Sequence, residues 1–499
     1  MKPKIAPAAW LIAAATLVLH VATSGRYGWF RDELYFIACG HHLAWGYVDQ
    51  PPLIAVVARV FSVGHSLYFF RLPAALAHAG LVVLVAVATR RMGGGALWQA
   101  VAALATAISP ILLVFGHLTT MNAFEPLVWL GAALVVLAIC DGADPRWWIL
   151  GGALIGVGVL DKHSVALFAV ALVVGVAATP ARRTLWSRWF VAGVGLALLI
   201  VLPHVAWQIG HGWPMLELLR HGQEYKNEPV TLLQFLAAQA LLNHPFTVLV
   251  WAPGLVHLVR SPRLRPLGIA ALFVSLTVIA LHGKIYYLAP LYPLLFAAGA
   301  AFLSEQAEPR WARATLVVLL AVGGAATAPL AIPILPVPAL LRYQAALHFE
   351  PPHTERLKYR PLSQVFADEH GWPELEAAVA RVYRALPADE QARASLYGRN
   401  YGEAGALDHY GPTNGLPPVY SGHLAYWRWG PPPADASPVI VVGYGWDEAE
   451  LRRDCTELIH AATIDNGVNL DNEEQGADVW ICRGPRRSWA EVWPELRHL

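Results

Sequence analysis

The chain has 499 residues, of which 56% are hydrophobic and only 14% charged, against roughly a quarter charged in ordinary soluble domains. With a mean hydropathy of +0.44 and a formal net charge of +1, it is neither a water-solvated enzyme nor a carrier of the basic field that nucleic acid requires. Four cysteines without a C-x-x-C spacing exclude a disulfide framework and a zinc ribbon, although Cys455 and Cys482 are candidates for pairing.

A helix needs about 20 apolar residues to cross a bilayer. That ruler predicts about eleven spans, near 5–23, 72–89, 97–115, 124–140, 147–160, 164–179, 189–208, 244–259, 267–282, 286–303 and 314–333. The first has a basic start, Lys2 and Lys4, and no small-residue cleavage site after it, so it reads as a retained span. Arginines fall on alternate connections: Arg90 and Arg91, Arg146, Arg182 with Arg183 and Arg188, Arg260 with Arg263 and Arg265, and Arg310 with Arg313. The positive-inside rule then puts the N-terminus in the cytoplasm and the C-terminus outside, in a cell (inner) membrane.

This orientation exposes two long segments on the outer side, residues 24–71 and the region after about 335. In the second, charge density rises and strand-like runs at 438–444, 458–464 and 478–483 alternate with helix-compatible stretches. The fold expectation is a mainly α, polytopic core over 1–333 and an extracytoplasmic α/β domain over 334–499. Gly398, Arg399, Asn400, Tyr401, Gly402 and Glu403 form either an acceptor-binding loop or part of the tail's own framework. Gly443 and Gly445 make no dinucleotide fingerprint.

Acids gather in the first outer loop: Asp32 and Glu33 after Phe30 and Arg31, then Asp49 and Gln50 before Pro51 and Pro52. Sugar transfer from a phosphate-linked donor needs a base for the acceptor hydroxyl and positive charge for the departing phosphate. Asp32, with Glu33 beside it, is the candidate catalytic acid pair; both also suit the first turn of a short helix. Arg71 and Lys284, each at a span end, are candidate phosphate ligands, with snorkelling to headgroups as the bland reading. Glu125 before Pro126 is a second acid at a span start, and a helix cap explains it almost as well. Asp161 and Lys162 are adjacent charges suited to neutralise each other. Asp32, Asp49 and Glu125 are also candidate oxygen ligands for a divalent cation. A polar and aromatic outer segment carries Trp207, Glu217, Glu224 and Tyr225, and reads as an interfacial helix or an acceptor surface. His20, His78 and His204 sit in apolar spans, where hydrogen-bonded core histidines are usual.

The acid pair after the first span, the double proline behind an acid, and the run Lys284, Ile285, Tyr286, Tyr287, Leu288, Ala289, Pro290, Leu291, Tyr292, Pro293 resemble the GT-C glycosyltransferases. Within them the chain is similar to the bacterial branch of protein O-mannosyltransferases and lipid A aminoarabinose transferases, a glycosyltransferase family 39-like group. The resemblance implies an inverting hexosyl- or pentosyltransferase with a polyprenyl-phosphate sugar donor and a lipid, glycan or protein acceptor. It places the catalytic role on Asp32, and it draws Asp49, Glu125, Tyr287 and Tyr292 toward substrate or metal. Gln50 departs from the lysine of the aminoarabinose transferases and removes one phosphate-binding cation. A lipid or glycolipid flippase is the alternative from another class, although transporters crowd their ionisable groups near the midplane and this chain does not.

Overall fold

A computed structural model describes residues 5–222, 230–306, 309–351, 361–468 and 470–499; Glu224 and Tyr225 lie outside the described residues. The chain begins with α1 (Pro7–Thr23), then α2 (Arg31–His41) and α3 (Leu53–Phe61), which make up much of the segment 24–71. The bundle continues with α4 (Leu67–Arg91), α5 (Ala96–Ile108), α6 (Pro110–His117), α7 (Met121–Cys140), α8 (Trp147–Asp161) and α9 (Ser164–Ala177). After these come α10 (Arg188–Gly210), α11 (Pro214–His221), α12 (Leu232–Leu242), α13 (Val248–Arg260), α14 (Arg265–Ala280), α15 (Tyr292–Glu305) and α16 (Arg310–Thr327).

Among the described residues, five helices are long and apolar enough to cross a membrane, and eight if each bent pair is one span. The chain is therefore a multi-pass membrane protein. Against the expected count of about eleven, three of those runs are bent. The run 97–115 divides into α5 and α6, inclined at 65°. Ser109 precedes Pro110, whose ring disfavours a helical residue before it, and Ser109 is extended at ψ 119°. Its hydroxyl donates to Asn243 Oδ1 at 2.8 Å, which satisfies the break internally. The run 164–179 turns by 117° into a short 3-10 segment, and 244–259 is one arm of a pair bent by 95° that reaches back to Leu232.

Close helix packing follows from small residues, as it must where lipid offers no hydrophobic drive between helices. A Cβ on Gly299 would lie 1.8 Å from the Val250 carbonyl oxygen, and one on Gly254 2.0 Å from that of Leu295. Only glycine lets α13 and α15 approach so closely. At one end of the bundle Arg263 donates to Asp141 at 2.6 Å and to the Arg91 carbonyl at 2.8 Å, so three of the connections expected on the same side meet. The 25 residues of α4, at a rise of about 1.5 Å each, carry the chain from there to the opposite end. At that end the Tyr27 hydroxyl donates to the Leu335 carbonyl at 2.8 Å and the Gly28 N–H to that of Glu369 at 3.1 Å.

The tail comprises α17 (Val337–Leu347), α18 (Gln364–Ala367), α19 (Trp372–Arg384), α20 (Ala388–Gln391), β1 (Ser395–Gly398), α21 (Tyr401–Tyr410), β2 (Val419–Tyr420) and α22 (Leu424–Trp429). It ends with β3 (Val439–Gly443), α23 (Glu448–Asp454), β4 (Cys455–Thr463), β5 (Asp478–Pro485) and α24 (Trp489–Val492). The strands form one mixed sheet in the order β2-β1-β3-β5-β4. β1 runs parallel to β2 and β3, and β5 antiparallel to β3 and β4. Cys455 and Cys482 are bonded across the edge pair β4 and β5. The segment 398–403 is a helix start: Asn400 caps α21 by accepting from the Gly402 and Glu403 N–H groups at 2.8 and 3.1 Å.

Candidate active site

Three consecutive charged residues open α2, and successive residues on a helix point about 100° apart. Arg31, Asp32 and Glu33 therefore enter three environments. Phe30 is the N-cap, and Glu33 in the first turn accepts the Phe30 N–H at 3.0 Å. The rest of the Glu33 carboxylate accepts Arg71 Nη2 at 2.8 Å, Arg71 Nε at 3.0 Å and the Thr119 N–H at 3.0 Å. Arg71 also donates to the Ser24 and Gly28 carbonyls and to His117 Nε2, each at 3.0 Å, and to Glu369 Oε2 at 3.1 Å. Both side chains are fully buried. Glu33, a candidate catalytic acid, and Arg71, a candidate phosphate ligand, are closed on each other. They form a sealed ion pair whose donors and acceptors are taken up by three other chain segments, 24–30, 117–119 and the tail at Glu369.

Arg31 turns toward the tail. Its guanidinium lies 2.9 Å from Glu473, 3.3 Å from Glu474 and 3.4 Å from Asp368, and 5.8 Å from the centre of the Trp372 ring. Burial pushes the Glu474 carboxyl well above the usual range while Arg31 opposes the shift. Burial likewise raises Glu369, against the pull of Arg71.

Asp32 is the member of the three that keeps partial exposure. Its Oδ1 accepts the Tyr401 hydroxyl at 2.8 Å, from the first residue of α21. Burial, and then the Asp32 charge, push the Tyr401 hydroxyl well above its ordinary pKa, so it stays a donor. The Tyr35 ring lies 5.0 Å from that of Tyr401, and its hydroxyl donates to Asp49 Oδ1 at 2.9 Å. Asp32 and Asp49 are therefore held by two tyrosines in contact, one from each half of the chain. Gln50 is fully buried, with its amide against Cys39 Sγ at 3.5 Å.

A second polar group is built from α7, α8, α9 and the segment after α14. Lys162 Nζ donates to Glu125 Oε2 at 2.8 Å and to the Asn122 side chain, and it stands 5.8 Å from the centre of the Tyr287 ring. Ser164 donates to the other Glu125 oxygen. Lys162 thus pairs with Glu125, not with its neighbour Asp161, whose buried carboxylate has no hydrogen-bond partner among the described residues. Lys284 is partly exposed at the start of the turn that carries Tyr287. This group connects to the first loop through His163 and His204, 2.9 Å apart, with His204 Nδ1 donating to the Trp45 carbonyl at 2.8 Å. Tyr292 is buried in the bundle, and its hydroxyl donates to Gln239 at 3.0 Å.

Among the described residues, no group of three or more His, Cys, Asp or Glu side chains is placed to hold a metal ion. Asp49 is engaged by Tyr35, and Glu125 by Lys162 and Ser164, so the three acids expected to gather a cation are separately occupied. Sequence reasoning missed Tyr35 and Tyr401 as the hydroxyls that hold the acids. Tyr401 lies 369 positions from Asp32 and carries no local signal.

Residues 49–207 match the family model described as dolichyl-phosphate-mannose-protein mannosyltransferase. No curated protein matches the chain. Among solved structures, ArnT from Cupriavidus metallidurans in the apo state superposes with a TM-score of 0.62 at 17% identity, covering 95% of this chain and 98% of that one. The same protein bound to undecaprenyl phosphate gives a TM-score of 0.59 at 16% identity, covering 95% of this chain and 99% of that one. At these identities the likeness establishes the fold alone: the chain shares the fold of that ArnT.

Removing one partner of a buried ion pair strands the other and costs about 3–5 kcal/mol. Arg71→Met and Glu33→Gln are each expected to lower the thermal midpoint of the purified protein in detergent, and the double variant by less than the sum of the two. Unchanged midpoints would contradict the sealed pair. A pH dependence follows from Glu403, whose carboxyl is pushed by burial from 4.5 to about 8. Since the folded state holds this proton more tightly, its stabilising contribution is complete below about 4.5 and is lost as the pH rises through about 8. Glu403→Gln is expected to flatten the stability profile across that window and to raise the midpoint above it, as thermal melts over a pH series would show.

Proposed function

We propose that the chain is a membrane glycosyltransferase that moves a sugar from a polyprenyl-phosphate donor to an acceptor on the outer side of the membrane. The observation that carries this reading is the setting of Asp32. Of the three charged residues that open α2, it alone combines partial exposure with orientation by a tyrosine hydroxyl. The fold shared with that ArnT and the family match over 49–207 support the reading. So does the polyprenyl phosphate bound to the similarly folded ArnT.

The proposed division is a membrane domain over 1–333 and an extracytoplasmic domain over 334–499. Counting the three shorter apolar helices with the eight spans brings the crossings to eleven, with the N-terminus inside. The arginines on alternate connections support that orientation.

In the proposed reaction Asp32 takes the proton of an acceptor hydroxyl, and the acceptor oxygen attacks the anomeric carbon. The bond from that carbon to the phosphate oxygen breaks, configuration inverts, and polyprenyl phosphate leaves carrying the electron pair. Lys284 and Lys162, with Tyr287, whose ring centre lies 5.8 Å from Lys162 Nζ, supply the positive charge and donors for the departing phosphate. Lys162 thereby takes up the role first assigned to Arg71, and Glu33 with Arg71 positions Asp32 from behind. Asp49 and Glu125 orient the groups around the donor sugar. Because the acids are separately engaged, no step is routed through a cation.

Asp32→Asn keeps size and the tyrosine contact but removes the base. Sugar transfer in membranes supplied with a panel of radiolabelled polyprenyl-phosphate sugars is expected to fall about 10²–10⁴-fold. Full activity in the variant would remove Asp32 from the mechanism. If wild type consumes no lipid-linked sugar while labelled lipid crosses the bilayer in its presence, the flippase reading replaces this one.

A further inference from the structure

Successive residues of a strand point to opposite faces of a sheet, and the tail sheet uses its two faces differently. Leu396, Ile440, Val442, Val479 and Ile481 pack in one cluster with residues of α19 and α21 and with Leu34 and Tyr35 of α2. This face looks toward the membrane domain and Asp32. Tyr397, Val439, Val441, Trp480 and Cys482 belong to a separate cluster on the other side.

On that outward side a cavity of about 340 Å³ lies between the sheet and α23 and α24, within the size range of small-molecule sites. Three aromatic rings line it. Tyr397 lies 6.4 Å from Trp489, with ring planes inclined by 20°, and 6.1 Å from Trp446. Arg399 holds Trp446 in place: its guanidinium lies 5.2 Å from the ring centre and donates to the Tyr444 carbonyl. Glu450 and Arg453 stand exposed at the margin, and Glu495, also lining the cavity, is spent on Arg487 at 2.8 Å.

An aromatic floor under a charged margin suits a ligand that is apolar on its ring faces and polar at its edge. A hydrocarbon would use the rings and make no polar contact with the margin, where Glu450 pairs with Arg453 at 3.3 Å and Arg487 with Asp454 and Glu495. A phosphate would meet Glu450, Asp454 and Glu495 as well as the two arginines. A neutral sugar ring meets both demands, with its C–H face on the aromatic planes and its hydroxyls among the carboxylates and guanidinium groups of the margin.

We propose that this cavity is a carbohydrate subsite that holds a sugar unit of an acceptor glycan, on the opposite face of the sheet from Asp32. The binding of sugar rests on the cavity alone, and the acceptor role rests on the transferase reading above. The test is saturation-transfer difference NMR on the full-length protein in detergent, with methyl α-D-mannopyranoside, methyl β-D-galactopyranoside, mannobiose and maltose as probes. Signals are expected on the ring C–H protons of at least one probe. They should disappear in Trp446→Ala, weaken about tenfold in affinity in Trp489→Ala, and persist in Trp446→Tyr, which keeps an aromatic plane. Asp32→Asn should lose transfer and keep these signals, which separates failure of the subsite from failure of the transferase reading. No signal from any probe, or equal signals in wild type, Trp446→Ala and Trp489→Ala, would overturn the proposal.

Discussion

The ion pair of Arg71 and Glu33 is the constraint on which the rest of the structure depends. Two charges removed from water cost several kcal/mol each unless every donor and acceptor is met, and here the surroundings are built to meet them. Arg71 draws in the Ser24 and Gly28 carbonyls, His117 and Glu369, while Glu33 draws in the Phe30 and Thr119 N–H groups. The entry to α2, the start of α4, the end of α6 and the tail are thereby joined at one buried point. Cutting any of these contacts leaves a charge exposed to a low-dielectric interior, so the arrangement holds as a unit.

With Glu33 anchored, the helical angle between neighbours decides what Arg31 and Asp32 do. Arg31 is delivered to a group of carboxylates in the tail, and Asp32 is left at a partly open seam where Tyr401 meets it. The tail therefore supplies one of the hydroxyls at the proposed reacting centre as well as covering the first loop. Positive charge enters from a different direction, through Lys162 on the connection between α8 and α9 and through Lys284 before α15. Acid and cation are thus held by separate parts of the bundle, which suits a substrate whose two ends carry different chemistry.

Much of the membrane part was legible in the sequence because the bilayer leaves few options: an apolar run of sufficient length has to be helical. What hydropathy does not register is a break inside such a run. Ser109 before Pro110 interrupts an apolar stretch without changing its average, and its partner Asn243 is 134 positions away. The same holds at the site. Asp32 was recognisable as an acid in an exposed loop, but Arg71 and Glu33 looked alike as candidates because the residues that seal them are distant in the chain. Lys162 was assigned to Asp161 by adjacency. The helix ends between them, and Lys162 is extended at φ −152° and ψ 132°, which swings its side chain to Glu125 instead. In the tail, β4 and β5 were readable from their length, whereas β2 has only two residues and shows no alternation.

The most direct measurement is a cryo-electron microscopy structure of the full-length protein in lipid nanodiscs with undecaprenyl phosphate added. The account predicts density for the phosphate beside Lys162, Lys284 and Tyr287, on the side of the bundle where Tyr401 meets Asp32, with Arg71 still closed on Glu33. A phosphate bound instead at the opposite end, near Arg263 and Asp141, or one for which Arg71 has left Glu33, would contradict it.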